Sequence, residues 1–297
     1  MTALTETPAP GTDAWQKLVS ASKVAAILGI SPWESPYSLW MTMTGRVSHE
    51  EKDTPAIRRG NYLERGVIEW WVDQHPEIHD WGAQVPARLD DWAIATLDIL
   101  ATLDEAEDRF LICEVKTTSS WDEWGEPGTD AIPAHYYAQV LWQLACEPKA
   151  ERGYVAVLGP FLDFREYIIE RDQTVIDDLI RRCRAFYDSL SQDEPPVLDD
   201  HPATVATLRR EHPDIAKGEQ ATVSRADAYA WLTAKHDLDA AQAAERAARA
   251  RILNAARDAQ YVTADGTRIA RRQPSRYGIS LVATAKADDL NPMENAS

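Results

Sequence analysis

The sequence predicts a mixed α/β core followed by a C-terminal helical and hairpin appendage. Three observations carry that reading. Apolar residues recur at helical spacing and in strand-like runs in the order helix, sheet, helix, sheet, helix up to about residue 190. The Pro- and Asp-rich stretch QDEPPVLDDHPAT then breaks the pattern, and beyond it the chain becomes rich in Ala and Arg. At 297 residues the chain spans about two average domain lengths, enough to bury a sizeable core without disulfides or metals.

The elements follow in order. The first 13 residues lack the basic and apolar stretches of a signal peptide and read as a disordered leader. Ser20 or Ser22 caps a first helix that Gly29 ends, and Ser35 before Pro36 opens a second closed by Gly45. A long helix over 58–75 carries apolar residues at 63, 67, 70 and 71, with Glu64 beside that stripe. VPARL, WAIATLDILATL and FLICEVKTT are strand-like, and the acidic turn DEAEDR joins the last two into an antiparallel hairpin. Pro133 starts the helix PAHYYAQVLWQLAC, GYVAVLGP and DFREYIIERD form a second strand pair, and 173–190 is an amphipathic helix. The expected divisions are a leader over 1–13, a core over 14–192, a linker over 193–204, an appendage over 205–278 and a disordered tail over 279–297. Within the appendage, 224–260 is a long helix and YVTADGTRIARRQ a small hairpin turning at Asp265-Gly266.

Composition narrows the function classes. With 44% apolar and 27% charged residues the chain is neither wholly disordered nor fibrous. No run approaches the ~18 apolar residues of a membrane span, so no membrane association is expected and the cytoplasm is the default location. Cys113, Cys146 and Cys183 are dispersed in apolar contexts, which fits core residues rather than a disulfide framework or zinc ribbon. The net charge of -17 argues against a surface coated in basic patches. Its distribution is uneven, because residues 246–276 carry eight arginines against Asp258 and Asp265. A basic arm follows an acidic body.

The chemistry concentrates in the hairpin. Along FLICEVKTT, Leu111, Cys113 and Val115 face one way, while Glu114 and Lys116 share the other face. Folding the preceding strand back about a turn near Ala106 sets Asp98 opposite Glu114. Two carboxylates and a lysine then converge, an oxygen-rich set suited to Mg²⁺, with Mn²⁺ as substitute, sharing a phosphate. Lys116 would orient the attacking water or help deprotonate it, and would offset phosphate charge. On its own, E-x-K also describes a solvated sheet face, and Asp98 with Lys116 also makes a structural ion pair. An acid inside the apolar run AIATLDILAT weighs toward function, since an unpaired charge there is costly.

Taken together, SASKVAAILGISPWESP, RRGNYLERG, ATLD, EVKTT and HYYAQVLWQL, in that order and spacing, resemble the YqaJ-like viral recombinases, the family of the lambda phage exonuclease, with the PD-(D/E)xK restriction-endonuclease-like fold. The resemblance covers about residues 14–190. It implies a metal-dependent exodeoxyribonuclease that digests one strand of double-stranded DNA from its 5′ end and leaves a 3′ single strand for an annealing protein. It also suggests a ring-shaped homo-oligomer around the DNA. Carried over, Asp98 and Glu114 are metal ligands, the Val115 carbonyl a further one and Lys116 the catalytic lysine. Glu64 would bind metal or a coordinated water from across the cleft. Gln139 would orient water or substrate from a helix face shared with His135, Tyr136 and Gln143, Tyr136 being taken as a DNA contact. Ser22 falls where the family places a hydroxyl near the 5′ phosphate.

Two departures leave alternatives open. The family often has Pro-Asp-Gly where this chain has Leu97-Asp98-Ile99, so Asp104, in a second ATLD, rivals Asp98; Asp98 is preferred because Asp104 falls in the turn. The family's phosphate-binding arginine has no counterpart, and Lys17 or Lys23 would substitute. Competing readings are a related endonuclease or repair nuclease of the same fold and a catalytically silent DNA-end-binding module. An iron–sulfur nuclease is disfavoured, since its cluster needs four placed cysteines and the chain has three.

Overall fold

The computed structural model describes residues 8–9, 11–49, 53–103, 109–276 and 278–290. A six-stranded mixed sheet organises the larger unit, which runs to Ile215. The expected mixed α/β core is therefore present. After α1 (Asp13–Gln16), capped by Thr12, come the two-residue strand β1 (Val19–Ser20) and α2 (Ala21–Ile27), with Ser20 at its N-cap. Helix α3 (Pro36–Met43) starts as the sequence indicates: Ser35 Oγ accepts from the Ser38 N–H, Ser38 Oγ accepts from the Ser35 N–H, and Pro36 occupies the first turn.

Helix α4 (Pro55–Gln74) is capped by Thr54 and buries Val67, Ile68 and Trp71, a narrow stripe one turn deep. Three strands follow, β2 (Asp80–Asp90), β3 (Ala93–Thr102) and β4 (Phe110–Thr117). Strand β3 is the hub: β2 runs antiparallel along its whole length, while β4 pairs antiparallel at one end and β1 parallel at the other. Helix α5 (Ala134–Cys146) carries the chain over to β5 (Ala150–Leu158), parallel to β4, and β6 (Phe164–Glu170) returns antiparallel. Helix α6 (Gln173–Gln192), capped by Asp172, buries Ile176, Leu179, Cys183 and Phe186 at helical spacing.

The sheet separates two apolar clusters. Helix α4 contributes Val67, Ile68 and Trp71 to one, with Leu111, Cys113 and Val115 of β4. Helices α2, α3, α5 and α6 build the larger one, around the fully buried Trp40 and Trp142. The expected alternation of β4 is thus present, and it turns Glu114 toward α5. All three cysteines are buried and free, as their apolar contexts suggest.

Two expected boundaries shift. The linker and appendage were placed at 193–204 and 205–278, yet α7 (Pro202–Glu211) belongs with the core: Thr204 Oγ1 donates to Ser35 Oγ at 2.6 Å and Tyr37 Oη donates to Glu211 Oε2 at 3.0 Å, both on α3 or its cap. The second unit starts at Ala216. It comprises the exposed 32-residue helix α8 (Arg225–Ala256) and a three-stranded sheet of β7 (Tyr261–Ala264), β8 (Thr267–Ser275) and β9 (Gly278–Ala283). The tail expected from 279 is ordered at its start, because β9 pairs with β8. Residues 1–7 of the leader and 291–297 of the tail lie outside the described residues.

Candidate active site

The site is assembled by α4, β2, β3, β4 and α5. The register Ile99↔Cys113 through Thr102↔Phe110 continues to set Asp98 across from Glu114, as the hairpin arithmetic requires. Asp98 Oδ2 accepts the Val115 N–H at 2.9 Å, which ties the acid to the neighbouring strand. Glu114 is 3% exposed and takes three donors: Lys116 Nζ and Gln139 Nε2 (2.5 Å) on Oε1, and Gln143 Nε2 on Oε2. Gln139 and Gln143 are four apart, so one face of α5 presents both amides. Sequence reasoning placed Gln143 on that face without giving it a role.

Glu64 comes in from α4. Its Oε1 accepts from Gln84 Nε2 at 2.8 Å, and the same nitrogen donates to Asp98 Oδ1 at 3.2 Å. The register Ala83↔Ile99 and Val85↔Leu97 explains the second bond, since it sets Gln84 across from Asp98. Sequence reasoning missed Gln84. The only signal would have been the pairing of the first two strands, which the alternation of VPARL does not extend back to residue 84.

Electrostatics follow from this crowding. Burial, the Glu114 charge and Glu64 push the Asp98 carboxyl up to about 7, against the opposing effects of Lys116 and the Val115 N–H. Burial alone would depress Lys116, but Glu114 and Asp98 hold it above the ordinary lysine value. In this arrangement Lys116 is a hydrogen-bond donor and a positive charge beside Glu114.

An aromatic wall borders the lysine. Lys116 Nζ sits 5.0 Å from the Tyr136 ring centroid, Tyr136 lies 5.6 Å from Trp124 and 4.0 Å from His135, and His135 packs edge-on to Trp33 at 4.9 Å. Trp33 remains 56% exposed.

Not every expected residue joins the site. Ser22 is exposed on the first turn of α2, and its hydroxyl shares a hydrogen bond with Ser20 Oγ at 3.1 Å. Lys23 is only 8% exposed and gives its three protons to the carbonyls of Trp15 (3.2 Å), Gln16 (2.6 Å) and Leu18 (2.7 Å). Its expected DNA contact is corrected accordingly: the ammonium is spent holding the N-terminal segment onto α2, and burial lowers it to about 8. Lys17 is exposed and keeps the phosphate-binding alternative. Asp104, the rival acid, lies outside the described residues.

With the site in view, comparison with known sequences finds a match to the YqaJ-like viral recombinase domain. The family model matches residues 13–150, from α1 to the start of β5, and so includes Glu64, Asp98, Glu114, Lys116 and Gln139. The resemblance read from the five motifs is borne out. The Bacillus subtilis (strain 168) protein YqaJ, described as uncharacterized, is 25% identical over 254 residues, covering 83% of this chain and 77% of its own length. Among solved structures, the alkaline exonuclease LHK-Exo from Laribacter hongkongensis has a TM-score of 0.48 at 19% identity, covering 60% of this chain and 90% of that one. A phage-related exonuclease from Haemophilus somnus 129PT has a TM-score of 0.41 at 16% identity, covering 59% and 96%.

Proposed function

We propose that this YqaJ-like chain is a divalent-metal-dependent exodeoxyribonuclease acting on double-stranded DNA ends. It digests the 5′-ended strand and exposes a 3′ single strand for a single-strand annealing protein, in the cytoplasm of a bacterium carrying the phage or prophage. The observation that carries the reading is the meeting of Asp98, Glu114 and Lys116 on one sheet face, where the lysine leaves negative charge uncompensated and Asp98 is pushed up to about 7.

That surplus charge fits a cation. The donors are oxygens: Asp98, Glu114 and the Val115 carbonyl, with Glu64 across the cleft, a hard set suited to Mg²⁺ or Mn²⁺. Among the described residues no three or more His, Cys, Asp or Glu side chains are gathered closely enough to hold a metal by themselves. An open site completed by water and a phosphate is the usual arrangement for Mg²⁺. When bound, the cation would supply Lewis-acid stabilisation of the phosphate and ease the deprotonation of a water.

The chain's own residues do the rest. Lys116 donates toward the attacked phosphate and offsets its charge. Gln139 and Gln143 hold Glu114 in one orientation, and the wall of Tyr136, His135 and Trp33 borders the path of the strand. Ser22 would meet a terminal 5′ phosphate, with Lys17 nearby in sequence. A ring of copies would enclose the DNA, so that local basic groups matter more than the net charge of -17.

The test is digestion of linear, nicked and closed-circular duplex with Mg²⁺, scored for mononucleotides and for which strand is lost. Mononucleotides from the 5′-ended strand of linear duplex, with closed circles intact, are expected. Nicking of closed circles would favour the related endonuclease, and no cleavage in any form would leave the silent DNA-end-binding module.

A further inference from the structure

We propose that Gln84 is a positioning residue for the cation site, its side-chain amide tying Glu64 of α4 to Asp98 of β3. This rests on the nuclease reading of those two acids and adds a residue from a third element. One nitrogen, Gln84 Nε2, serves both carboxylates, at 2.8 Å from Glu64 Oε1 and 3.2 Å from Asp98 Oδ1. Without a shared donor, two like charges on separate elements repel one another and turn apart. With it, both oxygens face a common point.

The backbone supports the assignment. Gln84 has φ of 53°, the left-handed region that a residue with a Cβ adopts at a cost, and it does so in the middle of β2 rather than at a turn. The neighbouring pairs Ala83↔Ile99 and Val85↔Leu97 keep one register on both sides, so the left-handed backbone is accommodated without a shift in pairing around Gln84. The side chain is exposed and fills no part of either core, so core packing does not account for the strain. A strained residue whose side chain meets two acids of a cleft fits a functional constraint. Groups that hydrogen-bond ligating carboxylates set their orientation, and losing one typically costs about 10–100-fold in metal affinity.

The experiment is a Mn²⁺ titration of the full chain without DNA, followed by the magnetic resonance signal of free Mn²⁺, on wild type, Gln84→Gly, Glu64→Gln and the double variant. Glycine accepts the left-handed backbone, so Gln84→Gly removes the amide without new strain. The expected result is about a tenfold loss of Mn²⁺ affinity for Gln84→Gly in the wild-type background and less than a twofold loss when Glu64 is already Gln. An undiminished loss in the Glu64→Gln background would overturn the proposal, because a merely structural role needs no Glu64. So would unchanged affinity in Gln84→Gly, or a wild type that binds no Mn²⁺. DNA hydrolysis measured in parallel separates the two claims. Mn²⁺ binding with the expected coupling but no hydrolysis overturns the nuclease reading alone, and hydrolysis without the coupling overturns the Gln84 role alone.

Discussion

Asp98 and Glu114 face each other across one strand pair yet answer differently to perturbation. Asp98 has a folded value near 7 against an ordinary one near 3.8, so the folded chain holds that proton more tightly. Its contribution to stability is full below the ordinary value and is lost as pH rises toward the folded one. Denaturant melts in EDTA between pH 4.5 and 8 should therefore show wild type losing ground to Asp98→Asn as pH rises; parallel curves would contradict the assignment. Glu114 is buried and saturated, and its removal leaves Lys116, Gln139 and Gln143 facing a gap. Glu114→Ala should cost roughly 3 kcal/mol in the same melts, the scale for breaking a buried charged pair. The acid, acid, lysine set was legible because strand alternation and a symmetric turn fix which residues meet. Gln84 was not, because its position depends on a left-handed backbone that no residue type announces. Lys23 was misread for a different reason: a lysine beside a helix N-terminus looks free in sequence, and only the fold brings three carbonyls to it.

Among the elements, α4 decides how firmly Glu64 is presented. Its C-terminal end is pinned where Trp71 Nε1 and His75 Nε2 both meet Glu166 Oε2 at 2.6 Å and His75 Nδ1 meets Glu77 at 2.7 Å. Burial opposes charge on His75, but the two carboxylates outweigh it and raise its value. That tie is fully present below the ordinary histidine range and weakens as pH rises through the raised value. Trp71→Ala, which empties a fully buried site, should cost about 3–5 kcal/mol by denaturant melt. A cost below 1 kcal/mol would mean that α4 is held some other way. Helices α2 to α6 and α8, the central hairpin and the second strand pair could be read from periodicity and caps, whereas α1 and α7 could not. Strand β1 could not, because two residues carry no period, and β9 was taken for tail because Gly278 and the short run after it give weak alternation.

At the scale of the molecule, the core unit ends at Ile215 rather than at residue 192, since α7 closes over α3 through Thr204 and Glu211. The Pro- and Asp-rich composition before α7 marked a break in pattern, but composition does not show that the next helix packs back. Truncation after Ile215 should leave a folded, metal-dependent nuclease with lower duplex affinity and a shallower salt dependence, because the segment removed holds the eight arginines of 246–276. Truncation at 197 should also lose thermal stability. Equal melting temperatures for the two truncations would contradict the structural role of α7, and an unchanged salt slope would contradict a DNA role for the second unit.

The central claim is that Asp98, Glu114 and Lys116 form one metal-dependent hydrolytic centre. Its most direct measurement is single-turnover hydrolysis of 5′-phosphorylated linear duplex by wild type and by Asp98→Ala, Glu114→Ala, Lys116→Ala and Asp104→Ala, with Mg²⁺ and with excess EDTA, alongside duplex binding. The expected result is hydrolysis by wild type and Asp104→Ala with Mg²⁺ only, and losses of roughly 100-fold or more in the other three while binding persists. Hydrolysis that survives EDTA, or an active Asp98→Ala beside a dead Asp104→Ala, would contradict it.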